Sequence, residues 1–140
     1  MRDNPILRVC AKILFAPIIV FGLYVQFHGD YGPGGGFQAG VIFSAGLILY
    51  ALVFGLYRLT QSIPVFVLKV MSSLGVLLFA GTGVVTMLLG GEFLNYSLLA
   101  ENAVTGQHLG IFLVELGVGI TVASTMLLIF AVFADQEDHD

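Results

Sequence analysis

Four long apolar runs, separated by short polar stretches, set the pattern of this chain. They cover about residues 6–27, 37–57, 65–90 and 109–134. Apolar and polar positions do not alternate within them, so they read as helices and not as half-buried strands. Four segments are also too few to close a membrane barrel. Each run reaches the length of about 20 residues that crosses a hydrocarbon core of about 30 Å. The second run carries no charge, and within the third, residues 70–90 give 21 positions without one. The pattern predicts an all-α, polytopic integral membrane protein with four transmembrane helices, forming a single domain over residues 1–140.

Local signals refine these limits. Asn4 followed by Pro5 reads as an N-cap and first helical position. Arg8 and Lys12 sit in the opening turns, where long basic side chains reach back to the headgroups. Pro17 is expected to kink the first helix. Residues 1–25 start basic and turn apolar, as a secretory leader does, but no small-x-small cleavage site follows, so the segment is expected to stay as an anchor. Between the third and fourth runs, Gly91 to His108 reads as a polar loop.

Composition supports the membrane reading: 58% of residues are apolar and 10% charged, against about 25% charged in soluble domains. Charge placement adds orientation. Arg2, Arg8, Lys12, Arg58 and Lys69 all fall where four spans put one side of the membrane, and the other two loops hold no Lys or Arg. By the positive-inside rule both termini are expected to be cytoplasmic. The acidic tail of Asp135, Glu137, Asp138 and Asp140 does not oppose this, because acids contribute little to the bias. No basic patch points to nucleic acid. Cys10 is the only cysteine, which excludes an intramolecular disulfide.

Small residues recur within the runs. Gly36, Gly40 and Ser44 make an extended small-xxx-small series, and Gly81, Gly83, Gly110 and Gly117 mark the later helices. Such residues let helices approach closely in lipid. They are candidates for packing within this chain or against other subunits.

The segment from His28 to Gly40 joins the first two runs and is the most unusual stretch. Gly34, Gly35 and Gly36 permit backbone angles closed to other residues. Pro33 stiffens the entry, and His28 and Asp30 add titratable groups. Carbonyls ending one helix favour a cation, whereas amides opening the next favour an anion. The segment is either a tight connection where glycine fits or a hydrated ion path with Phe37 anchoring the second helix. Gly34-x-Gly36-x-x-Ala39 resembles a loose dinucleotide fingerprint, but it lacks a preceding strand, and no Lys-Ser or Lys-Thr makes it a Walker loop.

Glu115 is the second candidate. A carboxylate inside an apolar run is costly and points to function. It either serves an ion path or subunit pairing, or sits at the interface, since residues 116–134 already span. Lys69 is the third candidate, with snorkelling as its simpler reading. The His, Asp and Glu residues show no metal-ligand spacing, and no cofactor or nucleophile motif is present.

Pro33-Gly34-Gly35-Gly36-Phe37-Gln38-Ala39-Gly40 resembles the signature of the MrpB (MnhB) subunit of Mrp-type sodium/proton antiporters. Glu115-Leu116-Gly117-Val118 in the last run is similar to the family pattern too. The sequence departs from that pattern at Asp30, where many members of the family carry a histidine; His28 lies two residues earlier. The resemblance implies a hetero-oligomeric complex of several different subunits in a prokaryotic plasma membrane, driven by the proton motive force. Sodium ions and protons would be the transported species, and the other subunits and the bilayer the partners. Too few titratable groups lie in the runs for exchange by this chain alone. Two other classes stay open: the corresponding subunit of a redox-driven membrane complex, and a small homo-oligomeric channel or scaffold.

Overall fold

The computed structural model describes residues 4–29, 31–32 and 34–137. Asp30 and Pro33 therefore lie outside the described residues. Among the described residues five α-helices follow one another: α1 (Pro5–His28), α2 (Gly36–Phe54), α3 (Leu56–Ser62), α4 (Val65–Leu88) and α5 (Ala103–Glu137), with a 3-10 turn at Tyr96–Leu98. No strand occurs among the described residues. Among the described residues four helices are long and apolar enough to cross a membrane: Pro5–His28, Gly36–Phe54, Val65–Leu88 and Ala103–Asp135.

The Asn4 side chain caps α1, accepting from the amides of Ile6 at 3.0 Å and Leu7 at 3.4 Å. α1 continues as one helix through Pro17. The second apolar run is not one helix. Gly55, at φ 103° and ψ 142°, ends α2 and starts α3, a backbone conformation that side chains resist. α5 begins at Ala103, six residues before the fourth apolar run. Asn102 caps it by accepting from the Val104 amide at 3.1 Å. Its first turns, with Thr105, Gln107 and His108, are more polar than the run that follows.

The long helices stand side by side in the order α1, α2, α5, α4, so that α5 packs on both α2 and α4. Small residues set these contacts. Gly40 on α2 meets the Gly119 carbonyl on α5, and Gly75 on α4 meets the Gly117 carbonyl. A Cβ at Gly40 would come within 2.7 Å of that carbonyl oxygen, so the two backbones touch directly. Ser72 and Thr125 share a hydrogen bond of 3.0 Å across the α4–α5 seam. Apolar clusters close the end of the bundle near Gly55: Ala51, Leu59, Leu68 and Leu127 in one, Ala11, Val53 and Phe54 in the other. Arg8 and Lys12 lie over the Phe54 ring at 5.6 and 5.9 Å. The outward faces are apolar, with Ile6, Val20, Leu77 and Phe133 each more than half exposed. Such faces suit lipid as the solvent.

The α4–α5 connection is folded. Thr86 is fully buried; its hydroxyl donates to the Gly83 carbonyl at 2.8 Å and accepts from the Leu94 amide at 3.0 Å. Leu94 is held at φ 64°. Tyr96 packs on Gly110 of α5, and burial pushes its phenol above the ordinary value.

Candidate functional site

The glycine segment and Glu115, far apart in sequence, form one site. α1 ends at His28, α2 starts at Gly36, and α5 runs past both ends. The Glu115 carboxyl lies against Gly29 and Gly35, and the Glu115 backbone carbonyl against Gly36. A Cβ on Gly29 would stand 2.6 Å from Glu115 Oε2, and one on Gly35 would stand 3.2 Å from Oε1. At Gly36 the obstacle would be backbone, which no rotamer change can relieve.

Each glycine does a different job. Gly34 sits at φ 146°, in the region that favours glycine. Gly35 is extended at φ 162° and needs no special angle; what it needs is room for the carboxyl. Gly36 permits helix-to-helix contact. The shared expectation of special backbone angles thus holds only at Gly34.

The electrostatics follow from the helix ends. The opening amides of α2 have no carbonyl one turn earlier in the helix to bond. A carboxylate beside them is favoured by those donors and by the helix dipole. Meanwhile His28 takes part in closing the turn: its carbonyl accepts from the amides of Tyr31 at 3.0 Å and Gly32 at 3.1 Å. Its ring stacks on Tyr24 at 5.1 Å and faces Tyr31 at 6.5 Å. Tyr31 stacks in turn on His108 of α5 at 5.8 Å, and Phe27 on Phe112 at 5.9 Å. Two imidazoles and a phenol therefore cluster beside the turn that follows α1.

The remaining candidates are scattered. Phe37 opens α2 with an exposed ring, 63% accessible, available to a neighbouring helix. Lys69 is exposed near the start of α4, at the opposite end of the bundle from Glu115. Ser44 is buried and donates to the Val41 carbonyl at 2.9 Å. Gly83 lies under the Phe93 ring, and Gly110 under Tyr96. Gly81 differs: a Cβ there would meet nothing within 4 Å, so it takes no part in packing inside this chain. Among the described residues no three His, Cys, Asp or Glu side chains gather as metal ligands do.

Two groups escaped the sequence reading. Tyr31 is a neutral loop residue in the sequence, and only its ring contacts with His28 and His108 tie it to its surroundings. Gln26, a lone amide in the first apolar run, was a legible signal, since a polar side chain in a span calls for a partner. It is 7% exposed and lies against Gly119, one turn along α5 from Glu115.

Residues 6–128 match the family model described as a domain related to the MnhB subunit of Na+/H+ antiporter. A Staphylococcus haemolyticus protein named "Putative antiporter subunit mnhB2" is 36% identical over 133 residues, covering 87% of this chain and 94% of its own. A protein of the same name from Staphylococcus aureus strain Newman is 32% identical, covering 92% of this chain and 94% of its own.

Proposed function

Because the chain belongs to the MnhB family of Na+/H+ antiporter subunits, we propose that it works as a non-autonomous part of such a complex, with Glu115 shaping an ion path or a subunit contact. It is a multi-pass protein of the bacterial plasma membrane and a transporter component; we read no enzymatic reaction in it. Its partners are the other subunits, and Na+ and H+ are the species the complex carries.

One observation carries the site assignment: the Glu115 carboxyl is seated where α1 ends and α2 begins, against Gly29 and Gly35. Helix ends offer oriented dipoles, and a carboxylate among them can attract a cation or hold a proton. His28 and His108 lie at the same end of the bundle and supply further proton-accepting groups.

The test is Glu115→Gln in the whole complex, which keeps shape and removes charge. Sodium/proton exchange in membrane vesicles should fall about ten-fold or more, the effect of about 1.4 kcal/mol, or the subunit should be lost from the complex. Subunit levels measured in parallel separate the two. Normal exchange with normal assembly would return Glu115 to a passive interfacial position.

A further inference from the structure

Gln26 is a second polar group in the seam that holds Glu115. It lies two residues before the end of α1, more than nine-tenths buried, and its Nε2 has no hydrogen-bond partner. Its Oε1 points at Gly119: a Cβ there would stand 2.5 Å from that oxygen and 3.2 Å from the Gly36 carbonyl oxygen. The other buried polar side chains among the described residues, Ser44, Thr82, Thr86 and Ser124, each donate to a carbonyl of their own helix. Gln26 alone among them keeps an idle donor. Such a donor carries its full desolvation cost, which a leucine of similar bulk would avoid. The amide therefore calls for an acceptor in another arrangement of the site.

Helix register identifies that acceptor. Gln26 and Gly29 share one face of α1, and Glu115 and Gly119 share one face of α5. The Glu115 carboxyl lies at Gly29, and Gln26 lies at Gly119. Carboxyl and amide thus occupy successive layers of one seam, separated by about 4.5–6 Å of helix rise. An N–H···O bond needs about 2.9 Å between heavy atoms, so rotamer changes that close about 2–3 Å between them suffice. Gly29, Gly36 and Gly119 surround this corner, and none has a side chain to stand between. The Gly36 carbonyl already accepts within α2, whereas a carboxylate takes several donors. We propose that Gln26 is a positioning residue for Glu115: in a second arrangement of the site its Nε2 donates to the ionised carboxyl and draws it one layer deeper, away from the glycine segment. A hydrogen bond to a charged acceptor is roughly twice as strong as a neutral one, so the amide holds the deeper arrangement only while the carboxyl carries its charge. This assignment rests on the reading of Glu115 as part of an ion path.

The test uses the whole antiporter complex in vesicles. Gln26→Leu keeps the bulk and removes the donor. Subunit abundance should be unchanged or raised, because Nε2 makes no bond that the leucine would lose. The maximal sodium/proton exchange rate should fall about ten-fold or more, the weight of one hydrogen bond to a charged group. Infrared spectra with and without heavy nitrogen in the glutamine side chains isolate the glutamine amide bands, and the part lost in Gln26→Leu belongs to Gln26. At constant pH, added sodium should shift that band in the parent complex and leave it in place in Glu115→Gln. Parental exchange in Gln26→Leu with impaired exchange in Glu115→Gln overturns this proposal and leaves the ion-path reading standing. Parental exchange in Glu115→Gln removes both. Abundance and exchange that fall in parallel in Gln26→Leu would make the amide a purely structural group, and a Gln26 band unmoved by sodium would mean that it gains no second partner; either result overturns the proposal.

Discussion

At Gly36 the space for one methyl group decides whether two helices can meet. A Cβ there would strike the Glu115 backbone carbonyl, and separating α2 from α5 would cost on the order of 1–3 kcal/mol. Gly36→Ala should therefore lower subunit abundance and exchange together, measured by immunoblot and vesicle flux. Gly81→Ala is the internal control. Its Cβ meets nothing within 4 Å, and alanine in a helix gains about 0.5–1 kcal/mol over glycine, so abundance should be unchanged or slightly raised. Loss of assembly in Gly81→Ala would mean that Gly81 faces a neighbouring subunit. The sequence treats these two glycines alike, as small residues within apolar runs. What separates them is the identity of the facing surface, a tertiary fact that spacing within a helix does not contain.

Helix boundaries show the same division between local and tertiary information. Asn4 and Pro5 are a local start signal, and α1 begins there. Gly55 was not legible as a break, because apolar residues continue on both sides and a lone glycine is common inside a membrane helix. Only the turn into α3, which buries Leu59 against Leu68 and Leu127, requires its positive φ. The glycine segment and Glu115 were each readable as unusual, yet their junction depends on α5 packing against α2. The loop after α4 likewise hides its anchor. Thr86→Val keeps the shape but leaves the Leu94 amide without its acceptor, at a cost of about 1–3 kcal/mol. Hydrogen exchange at Leu94 should accelerate by at least about five-fold, with the four long helices retained by circular dichroism. Unchanged exchange at Leu94 would show that another group satisfies it.

Across the whole molecule, four alternating spans put Pro5 and Asp135 on one face and the glycine segment and Asn102 on the other. In a Cys10→Ala background, a cysteine at Asn102 should react with an impermeant reagent added outside, and one at Asp135 should not; the reverse pattern would invert the proposed orientation. The interior between these faces bears on transport. Glu115 stands near one end of the bundle and Lys69 near the other. Between them most hydroxyls are tied to their own helices, Ser44 to the Val41 carbonyl, Thr82 to that of Leu78 and Ser124 to that of Ile120, and among the described residues Ser72 and Thr125 form a single hydroxyl pair across α4 and α5. Hydroxyls fixed in this way do not form a continuous chain for proton hopping, and a furrow that runs beside them between the long helices is almost wholly apolar. A complete crossing therefore needs titratable groups from other subunits. Reconstituted alone, with its helical content verified by circular dichroism, this subunit should give sodium-dependent proton flux no greater than protein-free vesicles, whereas the complete complex at equal subunit content should exchange. Flux from the isolated subunit that disappears in Glu115→Gln would mean that the chain carries a whole path, and the accessory role would fail.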